Sequence, residues 1–261
     1  MAPGWRAPTT ARSSAAPAEP AMQVAVAFMP EEMAYAAGDV AIVVDAVRSG
    51  ATLAVIAANG NPPIYLADSA PDALAHRDAE RPEAWAGGEL DGLPLPGFQF
   101  GNSLREVDLM DFTGREIVFG TVNGPRAARM ASAAKHVSMA GFLNLTAAAA
   151  RVAATAPDTV RIVCAGSHRV FALDDAVCAG LIAGRLVAMG AVAEDSALAA
   201  TALAERFDDV PAMLRISDSG RRLMAIGLEA DLDFCAQIDR TERVPTLARG
   251  AIDEDHRLLP I

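Results

Sequence analysis

The chain has 261 residues, of which 52% are hydrophobic and 5% aromatic, enough for a sizeable core built largely from alanine-rich helices. A formal net charge of −11, without any Lys or Arg cluster, argues against binding to the phosphate backbone of nucleic acid. No run approaches the ~18 uninterrupted apolar residues of a membrane span, and three widely spaced cysteines exclude a dense disulfide framework and fit a reducing cytoplasm.

Residues 1–21 are rich in Ala, Pro, Ser and Thr and lack the apolar central stretch of a secretory signal. We therefore expect a disordered N-terminal extension. Residues 22–261 are expected to form a compact α/β domain, with two closely packed lobes as an alternative of the same length.

Short β-branched runs alternate with helical segments from residue 22 onward. The strongest predicted strand covers residues 40–45, and its unbroken apolar character indicates burial on both faces, as in a parallel sheet. The other predicted strands are residues 22–28, 64–67, 116–121, 137–140, 160–165 and 243–248. The predicted helices are residues 51–58, 70–79, 125–133, 145–154 and 173–189, with a mainly helical region up to residue 236. This alternation predicts a layered α/β/α fold with a mixed, largely parallel sheet.

Residues 82–104 interrupt this alternation. They contain three prolines and five glycines among scattered aromatic residues. We predict a long irregular stretch here, of the kind that often carries function inside a compact domain.

Polar side chains follow several predicted strands, where ligands bind in open α/β sheets. Asp45 closes the buried strand at 40–45, and a carboxylate there needs a cation or several hydrogen-bond donors. Asp45 is therefore a candidate ligand for Mg²⁺, which prefers oxygen atoms, although an N-cap or an ion pair with Arg48 explains it equally simply. Arg48 and Arg126 each lie just past a strand end and suit an anion or a surface ion pair.

Other candidates have equally simple structural explanations. Asn102 and Asn123 each lie next to a glycine. Either they orient a bound anion, or they only form turns. Glu89 follows two glycines, and it is either a ligand or an exposed turn residue. Asp174 and Asp175 would stabilise a helix N-terminus or add carboxylates near the metal.

Several familiar motifs are incomplete. Cys164 and Arg169 have four residues between them, one fewer than a cysteine-phosphatase loop requires. The segment 217–220 resembles a serine-protease fragment but lacks a His and Asp partnership. The four histidines are scattered, and only His168 lies near a candidate strand end.

Five segments resemble, in order, the sequence blocks of the 2-phosphosulfolactate phosphatase family. Residues 45–60 resemble its Asp-x-x-Arg-Ala-Thr-Ser-Thr…Ala-Asn-Gly block, and residues 87–89 its Gly-Gly-Glu. Residues 97–103 are similar to its Gly-Phe-x-x-Gly-Asn-Ser-Pro, and residues 121–127 to its Thr-x-Asn-Gly-Thr-Arg-Ala. Residues 163–180 resemble its long signature, so that the resemblance runs from about residue 22 to residue 247.

The resemblance implies a compact α/β fold, a Mg²⁺ cofactor and hydrolysis of 2-phospho-3-sulfolactate, a small anionic phosphoester, in a step of coenzyme M synthesis. It implies catalytic roles for Asp45, Arg48 and Asp175. It implies metal ligands among Asp45, Glu89, Asp174 and Asp175, and substrate contacts from Thr52, Asn102, Asn123, Gly124, Arg126 and Gly166. A cytoplasmic location is expected, and a homodimer is left open.

The chain departs from the family pattern at several positions. Gly50 and Ala51 stand where the family has Thr and Ser, Pro125 replaces Thr, Asp174 replaces Glu and Leu104 replaces Pro. These changes leave two alternatives open: a phosphatase for another phosphorylated hydroxy acid, and a catalytically silent anion-binding homologue.

Overall fold

Ten strands form one sheet in the computed structural model, which describes residues 22–247 and 257–260. The predicted extension at residues 1–21 lies outside these described residues. The strands are β1 Gln23–Ala27, β2 Val40–Val44, β3 Ile64–Ala67, β4 Trp85–Gly88, β5 Ile117–Gly120, β6 His136–Ala140, β7 Thr159–Cys164, β8 Val192–Ala193, β9 Thr246–Leu247 and β10 Arg257–Pro260.

The strand order across the sheet is β4-β5-β3-β10-β9-β6-β2-β7-β1-β8. In the described part of the chain, neighbouring strands pair in parallel except for β6 and β9. β2 pairs along its whole length with β6 on one side and β7 on the other, and all its residues are buried. The predicted mixed, largely parallel sheet is confirmed.

Helices flank the sheet, as the layered prediction requires. They are α1 Ser49–Ala58, α2 Ala70–Glu80, α3 Leu104–Val107, α4 Asn123–Met130, α5 Leu145–Ala153, α6 Leu173–Ala188, α7 Asp195–Ala204, α8 Val210–Ile216, α9 Asp218–Ala225 and α10 Glu229–Cys235. Helix α6 packs on β1 and β7, α1 on β6, and α4 on β2. The longest of the described helices, α6, has 16 residues, and none of them has the length and apolar character needed to cross a bilayer.

The stretch 82–104 is more regular than we predicted. It contains β4, which forms one edge of the sheet, and ends at the start of α3. Glycine has a low strand propensity, which hides β4 in the sequence because half of its residues are glycine. Gly88 has a φ of +126°, and a Cβ atom there would lie 2.0 Å from the backbone oxygen of Gly120, so only glycine permits this approach of β4 to β5.

Helix α4 begins at Asn123, two residues before the predicted start at residue 125. Pro125 lies in its first turn, where a backbone N–H has no partner within the helix and its loss costs little. The earlier start places Asn123 and Gly124 at the N-terminus of α4, beside the end of β2.

Candidate active site

A cavity of about 350 Å³ lies where the chain segments that follow β2, β4, β5 and β7 meet. Residues of α9, in the C-terminal helical region, complete its wall. Its position beyond the carboxyl ends of parallel strands is where ligands bind in open α/β sheets. Its volume is sufficient for a small molecule.

Asp45 lines this cavity directly after the last residue of β2. Its Oδ1 atom accepts a hydrogen bond from the backbone N–H of Ser49 at 3.1 Å. Burial raises the pKa of Asp45 to about 6, the Glu89 charge adds to this increase, and hydrogen bonds from Ser49 and Gly124 oppose it. Asp45 is thus a desolvated carboxylate that faces an open space.

Gly124 allows the N-terminus of α4 to approach Asp45. A Cβ atom at this position would lie 2.8 Å from the Oδ2 atom of Asp45 and 3.1 Å from the Cβ atom of Ser49. A side chain would therefore displace either the carboxylate or the helix. The positive end of the α4 dipole consequently faces the Asp45 carboxylate.

Asp175 joins two of the loops that surround the cavity. Its Oδ1 atom accepts the backbone N–H of Ala46 at 2.8 Å, and its Oδ2 atom accepts that of Gly166 at 2.9 Å. Burial raises the pKa of Asp175 well above its ordinary value, and the charges of Asp174 and Asp45 raise it further. Asp175 does not line the cavity, and both of its oxygen atoms are engaged.

Asp174 lies behind the cavity wall. The hydroxyl of Ser219, which lines the cavity, donates to the Oδ1 atom of Asp174 at 3.1 Å. Burial raises the pKa of Asp174 to about 7, the Asp45 charge contributes, and the positive charge of Arg222 opposes the shift. Asp174 is therefore connected to the cavity only by its hydrogen bond with Ser219.

Three buried carboxylates, those of Asp45, Asp174 and Asp175, thus lie close together, and the charge of Asp45 raises the pKa of the other two. Within residues 22–247, no Lys, Arg or His lies within ion-pair distance of any of them. Uncompensated buried charge is costly, and a bound cation would relieve it.

The donor set suits Mg²⁺ better than a metal that needs a complete protein cage. Among the described residues, no three Asp, Glu, His or Cys side chains converge closely enough to hold an ion unaided. Mg²⁺ usually keeps several waters and takes only one or two carboxylates. Asp45 and Glu89 both line the cavity, although the Oε2 atom of Glu89 also accepts the backbone N–H of Gly92 at 2.6 Å.

Arg48 lines the cavity but is already paired. Its Nη1 atom donates to the Oδ2 atom of Asp231 at 2.7 Å, and its Nη2 atom to the backbone oxygen of Gly92 at 2.9 Å. The side chains of Arg48 and Asp231 are only 3% and 2% exposed. The other oxygen of Asp231 accepts the hydroxyl of Ser103 at 2.8 Å. Arg48 therefore braces the loop after β4 against α10.

Four of the predicted substrate-binding residues do not line the cavity: Thr52, Gly124, Arg126 and Gly166. Arg126 forms an ion pair with Glu31 and donates to the backbone oxygen of Ala165. Thr52 is fully buried within α1, and Gly166 donates its N–H to Asp175.

Two predicted asparagines do line the cavity. The Oδ1 atom of Asn102 is buried without a hydrogen-bond partner among the described residues, so a ligand or a water is needed to satisfy it. The Oδ1 atom of Asn123 accepts the backbone N–H of His168 at 3.2 Å. Asn102 is therefore the more available of the two.

Five residues that line the cavity were not among the predicted site residues: Ser49, Thr121, Ser167, Ser219 and Arg222. The hydroxyls of Ser49 and Thr121 lie 2.9 Å apart and are hydrogen-bonded. Ser219 belongs to the segment 217–220, which has a protease-like sequence but only caps α9 and borders the cavity. His168 and the segment 164–167, which follow a predicted strand, were the sequence signals that pointed to this part of the cavity.

None of the five departures from the family pattern lines the cavity, but Asp174 accepts a hydrogen bond from Ser219, which does. A Cβ atom on Gly50 would lie 2.2 Å from the backbone oxygen of Ala140, so this position faces the end of β6. Ala51, Leu104 and Pro125 are buried and do not line the cavity. Changes at these positions therefore alter helix packing rather than the cavity surface.

Comparison with known proteins finds the same family that the five sequence segments resemble. The family described as 2-phosphosulpholactate phosphatase matches residues 27–250. A protein of Thermus thermophilus named "Probable 2-phosphosulfolactate phosphatase" is 38% identical over 236 residues, which span 89% of this chain and 97% of the relative. A Deinococcus radiodurans protein of the same name is 37% identical over 214 residues, or 81% of this chain and 89% of the relative.

Proposed function

Because the chain belongs to the 2-phosphosulfolactate phosphatase family, we propose that it is a Mg²⁺-dependent phosphoric monoester hydrolase that acts on 2-phospho-3-sulfolactate. Water cleaves the phosphate ester, and the products are 3-sulfolactate and inorganic phosphate. The oxygen of water is transferred to phosphorus, and one of its protons to the released alcohol. We infer the substrate from the names of the relatives and the reaction chemistry from the side chains that line the cavity.

One observation carries this proposal: a buried carboxylate without a cationic partner faces a polar cavity at the strand ends. Burial raises the pKa of Asp45 to about 6, and the charge of Glu89 further opposes its ionisation. A cation bound in the cavity would reverse this preference. An anionic phosphoester would enter an acidic site only with such a cation in place.

Asp45 and Glu89, the two predicted metal ligands that line the cavity, would hold the Mg²⁺ ion. Asp174 and Asp175 lie behind the cavity wall, and the charge of Asp45 raises the pKa of both. When bound, the ion would neutralise charge on the phosphoryl oxygens and lower the pKa of a coordinated water. We treat Asp175 as a positioning residue, since both of its oxygens hold backbone N–H groups.

The polar side chains between the strand ends would bind the phosphoryl group. Ser49 and Thr121 share one hydrogen bond, which leaves one hydroxyl proton free to point toward a phosphoryl oxygen. Asn102 offers its side-chain amide from the opposite chain segment, after β4. Arg48 holds the loop that carries Glu89 and Gly92 in place through its bond to Gly92.

We also propose a cytoplasmic location. Cys164, Cys178 and Cys235 are all buried and unpaired. Thiols remain in this state in a reducing compartment.

The experiment that tests the function is release of phosphate from 2-phospho-3-sulfolactate, measured with Mg²⁺ and with EDTA. We expect activity only with Mg²⁺, and a loss of about 1,000-fold or more in Asp45→Asn, which removes the charge that faces the cavity. Asp111→Asn is the matched control, because Asp111 is exposed and bonds only to Thr113.

Three results would contradict the proposal. Full activity of Asp45→Asn would remove this carboxylate from the mechanism. Phosphate release only from 2-phospholactate, phosphoglycolate or a phosphoglycerate would assign another substrate to the same chemistry. Thermal stabilisation by the substrate without any phosphate release would identify an anion-binding homologue.

A further inference from the structure

Three cavity residues form a wall without a carboxylate: Ser167, His168 and Arg222, which we call the cationic wall. The Nη1 atom of Arg222, on α9, donates to the Oγ atom of Ser167 at 2.6 Å. This bond uses Ser167 as an acceptor, so its hydroxyl proton stays available to a ligand.

Arg222 is the cavity arginine with unused donors. Arg48 is neutralised by Asp231 and also donates to Gly92. In the described residues, no carboxylate lies within ion-pair distance of Arg222, and its one hydrogen bond leaves most of its five N–H donors free. Arg222 nevertheless lies close enough to Asp174 to lower the pKa of that carboxyl group.

The turn that carries His168 is strained. Ser167 and Val170 exchange backbone hydrogen bonds of 3.0 and 3.1 Å around His168 and Arg169. These two central residues have φ angles of +52° and +63°, a geometry that two-residue hairpin turns usually build from Asn and Gly. Strain of this kind persists where the surrounding structure enforces it, and it concentrates at functional sites. Here Asn123 fixes the turn by accepting the N–H of His168.

We propose that the cationic wall binds the sulfonate of the substrate, with Arg222 as the residue that selects phosphoesters carrying this second strong acid. The proposal rests on the proposed function and extends it. Asp45, Glu89 and Asp91 make the rest of the cavity acidic, and a cation there would serve the phosphoryl group. The sulfonate needs its own cation, and Arg222 provides an unpaired one.

The chemistry of the wall fits three equivalent oxygen atoms. A guanidinium presents a planar fork of donors that contacts two oxygens of one anion at once. The hydroxyl of Ser167 and the imidazole of His168 lie on the same wall and can contact the third. A lysine would supply charge without this fork.

The test compares two substrates that differ only in the sulfonate: 2-phospho-3-sulfolactate and 2-phospholactate. We expect the ratio of their kcat/KM values to fall about 30-fold or more in Arg222→Gln, because a charge-assisted bidentate contact is lost for one substrate only. Arg222→Lys should give an intermediate ratio. Arg221→Gln is the matched control, since Arg221 is exposed, pairs with Asp218 and does not line the cavity.

Equal losses for both substrates in Arg222→Gln, or no loss for either, would overturn the assignment. If the wild-type enzyme hydrolyses neither substrate, the proposed function fails, and calorimetry then tests the wall separately. In that case 3-sulfolactate should bind Arg222→Gln about 30-fold more weakly than the wild type, while the weaker binding of lactate stays the same. Unchanged binding of 3-sulfolactate would reject the cationic wall.

Discussion

The carboxylate of Asp175 accepts the backbone N–H of Ala46 at 2.8 Å, which fixes the residue next to Asp45 to the helix that follows β7. Its second oxygen holds the N–H of Gly166. A single buried side chain therefore sets the distance between the loops after β2 and β7. We infer that Asp175 acts on catalysis through the position of Asp45.

Asp175→Asn should weaken both the fold and the activity. An amide nitrogen cannot accept a hydrogen bond, so one of the two backbone N–H groups would lose its partner, at a cost of about 1–3 kcal/mol. The loss of activity should be smaller than in Asp45→Asn. Urea unfolding and phosphate release measure the two effects, and wild-type values for both would contradict a positioning role.

The stability of the metal-free protein should fall as the pH rises from about 4 to about 7. Burial raises the pKa of Asp45 to about 6 and that of Asp174 to about 7, whereas both groups titrate near their ordinary value, about 4, in the unfolded chain. Between these values the folded state binds more protons, so the free energy of unfolding decreases with increasing pH. Thermal melting in EDTA, with Asp174→Asn as the comparison, measures this effect.

Asp174→Asn should therefore melt about 5 °C higher than the wild type at pH 7.5 in EDTA, and at nearly the same temperature at pH 4. Its amide oxygen can still accept the Ser219 hydroxyl. Mg²⁺ should raise the melting temperature of the wild type more at pH 7.5 than at pH 5, since it binds ionised carboxylates. A variant that melts below the wild type at pH 7.5 would contradict the raised pKa of Asp174.

Replacing either Arg48 or Asp231 alone should destabilise the protein more than replacing both residues together. Arg48→Met or Asp231→Leu alone leaves a buried charge unpaired, at a cost of about 3–5 kcal/mol. The double variant should recover much of this loss in urea unfolding. Its activity should stay low, because the loop at Gly92 loses its anchor. Additive losses in the double variant would show that the two charges do not stabilise each other.

Gly124→Ala should reduce kcat strongly and change the free energy of unfolding little. The new methyl group would lie 2.8 Å from the Oδ2 atom of Asp45 and would move the carboxylate or α4. We expect a loss of about 10-fold or more in kcat, as misplacement by about 1 Å costs up to 100-fold. Gly38→Ala is the control, because a Cβ atom there would have open space around it.

The fold was largely predictable because local patterns and tertiary contacts agree. The apolar run 40–44 is expected to be buried, and it forms the fully paired strand β2. β4 was missed because its strand conformation depends on pairing with β5 and on packing around its glycines, not on local propensity. The strand conformation at this edge of the sheet therefore depends on tertiary contacts.

Asp45 was predictable as a cavity residue because it closes a predicted strand, whereas Glu89 was selected only because it follows two glycines. The bonding of Arg48 was not, because its carboxylate partner lies 183 residues away in the sequence. Arg222 lies on a short helix in a mainly helical region, where no strand end marks it as a site residue. The placements of Asp174 and Asp175 behind the wall follow from the direction of α6, which the sequence leaves undetermined.

The bond between Arg48 and Asp231 also has a consequence for biosynthesis. A growing chain that has not yet extended past α10 carries the Arg48 guanidinium without its counter-ion and the loop at Gly92 without its brace. The cavity can therefore take its final form only after residue 231 has left the ribosome. Prematurely terminated products that end before residue 231 should be inactive and should be substrates for cellular proteases.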